Sequence, residues 1–274
     1  MRRGLVTLAL LTGLIATGAW AAVGESAPAL AATLLRASGM ERQIAAIAPS
    51  FDAQLAGSAD GMPGDVRARL LETAKEAFAA DPLHRAALAH LNAHMDPAHA
   101  ERALVWLRSE QGRRVTRLEE AASEPEGVKA LQEYAQSLGT EPPEAARVAL
   151  ITRLDAATGA TDLTAKFLYE MAAATARGML AVSESSQDAS EFDAALASQK
   201  SAIAETARNM TLVSMLFTYR ALSAEEVSSY IDFLETDAGQ WYQSTTGEAF
   251  FAALRNATKR FESGIAGVAK AASE

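Results

Sequence analysis

All four histidines of the chain fall between His84 and His99, with His90 and His94 between them. Four residues on a helix turn the chain by about 40° beyond a full turn, so His90 and His94 share one face. That is the spacing of a two-histidine metal pair. Asp96, His99 or Glu101 stands close enough in sequence to add a ligand beyond Pro97. The opposing reading starts from Leu88, Leu91 and Met95, which define the apolar stripe of the same helix. His90 and His94 lie roughly 90–130° from the centre of that stripe, where solvated polar residues belong. Two ligands are also too few for the usual four-coordinate site. Metal binding at His90 and His94 is therefore the alternative reading, not the leading one.

The carboxylates show no catalytic pair. Glu119-Glu120 and Glu225-Glu226 are adjacent, so their side chains diverge on a helix. Glu72 and Glu76 share a face, as solvated charges commonly do. No G-x-S-x-G nucleophile elbow occurs, and "GSADGMPG" lacks the Lys of a phosphate loop. The expectation is a non-enzymatic protein with no cofactor. Aromatics concentrate late in the chain, from Phe217 and Tyr219 through Tyr230, Phe233, Trp241 and Tyr242 to Phe250 and Phe251. Their helical spacing favours core packing over a sugar- or peptide-binding platform.

The elements that must position these groups are helices. Ala is abundant, β-branched residues seldom run together, and period-two alternation is almost absent. The spacing predicts helices over about 27–37, 40–56, 64–80, 82–95, 97–108, 110–122 and 126–138. The rest of the chain predicts helices over about 142–157, 161–183, 189–220, 224–235, 237–245 and 247–272. Breaks are expected at Gly57 to Gly64, at Asp81-Pro82, at "GTEPPE" and at Ser183 to Ser190. The segment 189–220 and the last helix are amphipathic, suited to burial or to a groove.

Two stretches punctuate the chain in the same way: "LRSEQGRRV" at Leu107 and "LETDAGQWY" at Leu234. Ser109 and Thr236 each suit a helix N-cap, followed by an acid in the first turn and then by Gly112 or Gly239. Upstream, Asp96-Pro97 and the Ser223…Glu226 capping box each open a helix. The pairs Asp96/Ser223, Ser109/Thr236 and Gly112/Gly239 all lie 127 residues apart, as do Trp106 and Phe233. An earlier pair, "LLRASG" ending at Gly39 and "LDAATG" ending at Gly159, lies 120 apart. The pattern reads as a tandem duplication. Each glycine is expected to let another helix approach its backbone. The fold expected is all-α, with two related helical-bundle units packed together, the first over 22–139 and the second over 140–274.

Each unit resembles the bacterial exported domain-of-unknown-function family numbered 2059. The resemblance rests on "LDAATG" and "LSAEEVSSYIDFLETDAGQWY" in the second unit and on "MDPAHAERALVWLRSEQGRRV" in the first. It implies an all-helical exported protein and carries no established catalytic residues.

The start of the chain reads as a signal peptide over 1–21. Arg2 and Arg3 precede an apolar run from Leu5 to Ala16, and Ala19-Trp20-Ala21 supplies the small-x-small cleavage signal. Cleavage after Ala21 leaves 253 of the 274 residues and takes the net charge from −9 to −11. Such a charge disfavours nucleic acid and anionic membrane surfaces. The chain has no cysteine, so disulfides and thiol chemistry are excluded. No later stretch has the run of about 18 apolar residues that a membrane helix needs. The expected place is periplasmic or secreted. The expected role is a binding or interaction module of the envelope, with a periplasmic protein or peptide as partner. The alternative is a periplasmic metal-binding protein using the His84–His99 window.

Overall fold

A computed structural model describes residues 26–48, 64–182 and 197–272. The predicted signal peptide and the predicted breaks at Gly57 to Pro63 and Ser183 to Ser190 lie outside them. Among the described residues every regular element is a helix. In chain order they are α1 (Ala27–Ala37), α2 (40–48), α3 (Gly64–Ala77), α4 (Ala80–Ala93), α5 (Pro97–Leu107) and α6 (Glu110–Ser123). There follow α7 (Pro125–Ser137), α8 (Ala145–Thr158), α9 (Ala160–Val182), α10 (Lys200–Thr218), α11 (Ala224–Leu234) and α12 (Asp237–Ala272). No helix among the described residues is long and apolar enough to cross a membrane.

The sequence signals for starting and stopping helices act where they stand. The Asp96 side chain accepts from the His99 N–H at 3.1 Å, and Pro97 occupies the first turn. At Ser223 the capping box is complete: its Oγ accepts from Glu226 N–H at 3.2 Å, and Glu226 Oε2 accepts from Ser223 N–H at 2.8 Å. Ser109 Oγ accepts from Gly112 N–H at 3.0 Å, and Thr236 Oγ1 accepts from Gly239 N–H at 3.1 Å. Ser109→Ala and Thr236→Ala are each expected to lose about 1 kcal/mol of stability, read as a shift in urea midpoint at constant slope.

The resemblance between the two stretches extends to geometry. α5 and α11 are both 11 residues long. Gly39 and Gly159 are the two glycines with positive φ among the described residues, at 73° and 64°. The residue before each repeats the same pair of hydrogen bonds. Ser38 Oγ donates to Leu35 O and accepts from Met40 N–H, at 3.1 and 3.4 Å. Thr158 Oγ1 donates to Asp155 O and accepts from Ala160 N–H, at 3.1 and 3.3 Å.

The two caps differ from expectation in what crowds their glycines. A Cβ on Gly112 would lie 2.1 Å from the Trp106 carbonyl oxygen, and one on Gly239 would lie 2.1 Å from the Phe233 carbonyl oxygen. The close neighbour is the last turn of the preceding helix, not a distant one. Each glycine thus permits a tight corner between consecutive helices. A second difference lies around Gly247, where the sequence spacing separates one helix ending at about 245 from another starting at about 247. α12 runs through it, because a helix tolerates one glycine at a cost of about 1 kcal/mol.

The core is continuous. α12 lies along α3, α4 and α5 and also against α9, while α1 packs on α4 and α5. On the other side α8 packs on α10 and α11, and α9 on α10. Leu34, Leu83, Leu91, Ile151, Leu154 and Ile231 are among its fully buried side chains.

Candidate functional site

α6 carries a buried stripe at Gly112, Val115 and Thr116. The next position in the same phase is Glu119, so helical geometry directs a carboxylate toward the interior. Two of the five tyrosines meet it there, and a third lies close by. Tyr219 OH donates to Glu119 Oε1 at 2.7 Å and Tyr230 OH donates to the same oxygen at 3.2 Å. The Tyr219 and Tyr230 rings meet edge to face at 6.1 Å. Tyr242, from α12, shares a hydrogen bond with the Ser38 hydroxyl and feels the Glu119 charge.

The corner that holds Tyr219 is fixed from three sides. Arg147 of α8 donates to Tyr219 O and Leu222 O, at 2.5 and 3.1 Å. Arg114 of α6 donates to Ala221 O at 2.8 Å, and Gln111 donates to Glu226 O at 2.7 Å. Arginine and glutamine side chains thus tie down carbonyls of the turn between α10 and α11 and of the first turn of α11.

Glu119 lines a cavity of about 470 Å³ bounded by α2, α6, α9, α10, α11 and α12. Its side chain keeps some accessible surface because it faces that cavity, while the walls remove most of its bulk water. Burial raises its pKa from 4.5 to about 7, against the opposing effect of the two phenol hydrogen bonds, with the neighbouring Glu120 charge adding to the rise. Burial, and then the Glu119 charge, push the Tyr219 and Tyr230 phenols well above their usual value, so both remain neutral donors. Glu120 points elsewhere, with its Oε2 2.8 Å from Arg42 Nη1. The two adjacent acids diverge as expected, but one of them alone makes a site. The sequence reading missed this, although the Gly112, Val115, Thr116, Glu119 spacing was the signal that could have found it.

A second apolar cleft of about 730 Å³ lies between α7, α9 and α10. It shares Ala160, Thr164, Phe167, Ser214 and Met215 with the first, so the two adjoin along α9 and α10. Leu131, Leu168 and Val213 line its further part, with Met210 half-exposed.

The four histidines do not gather at one point. The His90 and His94 rings stack at 4.1 Å, and His94 Nδ1 lies 2.9 Å from the His90 carbonyl oxygen. His84 Nε2 stands 3.4 Å from Glu41, and His99 Nδ1 stands 2.9 Å from Asp96. Asp96 and His99 therefore engage each other instead of completing a site with the stacked pair. Among the described residues no group of three potential ligand side chains converges. The late aromatics mostly pack in the core, where Trp106 stacks on Phe233 at 4.3 Å and on Tyr230 at 4.9 Å.

No family model, curated protein or solved structure matches the chain.

Proposed function

We propose that the chain is an exported, non-enzymatic binding protein. In this reading two related helical units face each other and hold a small amphipathic molecule in the cavity at Glu119. The single observation that carries the reading is the cavity itself. Its wall is apolar over most of its area and also presents polar side chains, one of them a carboxyl with a strongly shifted pKa. Its volume suits a small molecule and not a folded protein or a helix, which narrows the class of partner.

The facing of two units has its own support. Under two-fold symmetry a residue on the axis touches its own counterpart, and other contacts occur in exchanged pairs. Trp106 and Phe233 hold equivalent places and stack with their rings 3° from parallel. Arg114 reaches Glu226 at 2.9 Å, and the equivalent pair, Trp241 and His99, meets at 6.0 Å between ring centroids. Some of the cavity lining repeats in the same way. Four equivalent pairs line it: Met40 with Ala160, Gln43 with Leu163, Glu119 with Thr246, and Ser123 with Phe250. In the last three the first unit presents the more polar side chain, while the second unit supplies the rings of Phe167, Phe250 and Phe251 beside its own Thr158, Thr164, Ser214 and Gln243. Symmetric packing does not require that difference within the pairs; a ligand with one polar and one apolar end would use it.

The neutral apolar dye N-phenyl-1-naphthylamine tests the reading. Saturable binding of one dye per folded chain is expected, and Ala122→Phe, which places a ring in the cavity, should abolish it at unchanged helicity. A protein that gives no dye fluorescence, or an Ala122→Phe variant that binds the dye as well as the wild type does, overturns it.

A further inference from the structure

Resting on the cavity reading above, we propose that the polar end of the ligand is a cationic amine seated against Glu119, with its hydrocarbon body over Phe250 and Phe167. Both phenol hydrogen bonds fall on Oε1, and Oε2 receives none among the described residues. The acceptor that remains points the site toward a donor. No cationic side chain among the described residues pairs with Glu119. Arg42 is engaged by Glu120 at 2.8 Å, and Lys166 by Glu248 at 3.0 Å while lying over the Phe251 ring. An anionic head group would place two like charges together with nothing between them. An ammonium group supplies the missing charge and also meets the faces of aromatic rings, which attract cations.

The geometry makes the recognition pH-dependent. The groups facing Glu119 are Tyr219 at the start of the α10–α11 corner, Tyr230 on α11, Tyr242 on α12 and Glu120 on its own helix. The phenols stay neutral through the physiological range, and Glu120 is held by Arg42. Lys166 and Glu248 form an ion pair at the Phe251 side. Glu119 is thus the group whose charge changes near pH 7. An ammonium binds the ionised form, so the proton leaves Glu119 for solvent as the ligand enters. Apparent affinity is reduced by the fraction of competent protein, so it should rise about tenfold from pH 6 to pH 8.

The experiment uses the full chain and three probes of equal length below their micellar concentrations: octylamine as its ammonium salt, octanol and octanoate. Each competes against N-phenyl-1-naphthylamine and is titrated by calorimetry at pH 6 and pH 8. Octylammonium is expected to bind at least fivefold more tightly than octanol at pH 8, with octanoate weakest. The preference should shrink about tenfold at pH 6 and vanish in Glu119→Gln, while octanol binding stays level throughout. The wild-type pH series stands independently if Glu119→Gln fails to fold. Equal binding of octanol and octylammonium at pH 8, tightest binding of octanoate, a preference that survives Glu119→Gln, or dye binding that no probe displaces each overturns the amine assignment and leaves the cavity reading standing. Absence of dye binding overturns the cavity reading itself.

Discussion

Glu119→Gln is expected to stabilise the protein at pH 8 and to change little at pH 4. The wild-type carboxyl titrates near 7 in the folded chain and near 4.5 when unfolded. Between those values the folded state holds the extra proton, so wild-type stability falls as pH rises from about 4.5 to about 7 and is level beyond. A raised carboxyl pKa thus opposes the usual alkaline gain of paired carboxylates. The shift corresponds to about 2–3 kcal/mol after allowance for water in the cavity. Gln keeps an oxygen that accepts from both phenols but never has to bury a charge. The gap between variant and wild type should therefore widen across that window, reaching roughly 5–10 °C in melting temperature. A second substitution separates charge from hydrogen bonding. Glu119→Leu leaves the hydroxyls of Tyr219 and Tyr230 without an acceptor and should destabilise at every pH. A difference between Glu119→Gln and wild type that is the same at pH 4.5 and pH 8, measured by urea denaturation, would show that the carboxyl is not perturbed.

Gly239→Ala is expected to destabilise the protein by about 2–4 kcal/mol, against the intrinsic preference of helices for Ala. That preference is worth about 1 kcal/mol in favour of Ala, so an exposed helical site would gain. Here the new methyl would sit 2.1 Å from the Phe233 oxygen and 2.7 Å from the Leu234 Cα. Both are backbone atoms at a corner fixed by the Thr236 cap, so neither can move aside without opening the angle between α11 and α12. Gly112→Ala should cost the same within about 0.5 kcal/mol, because Trp106 O and Leu107 Cα crowd it at 2.1 and 2.8 Å. Gly247→Ala is the control of opposite sign. Its methyl would touch only Leu163, at 3.4 Å, so the change should be neutral or stabilising by up to about 1 kcal/mol. Thermal melts of the three variants decide it. A Gly239→Ala protein that melts with wild type would mean the corner opens freely.

The pocket around Glu119 and these corners draw on different kinds of information. The corners were legible because their causes are local. A Ser or Thr cap, an acid in the first turn and a glycine two residues on act within six residues of one another. The observed ends of α5, α6 and α11 lie within one residue of the sequence expectation. The pairs 127 and 120 residues apart could be read in the same way, since each copy of a local signal is legible by itself. The continuation of α12 through Gly247 was not legible, because one glycine is a weak breaker and packing of the flanking turns outweighs it.

By itself, then, the amino-acid sequence determined an all-helical chain, the positions of its caps and corners and the paired spacing of its motifs, since each depends on residues a turn or two apart. Tertiary structure alone decided that Glu119 meets Tyr219 and Tyr230, 100 and 111 residues away, and that among the described residues no three potential metal ligands converge. The phase of α6 could aim a carboxylate inward. Only the packing of α6 against the α10–α11 corner could surround it with phenols, remove its water and leave a cavity in front of it. The shifted acidity belongs to that enclosure and not to the residue.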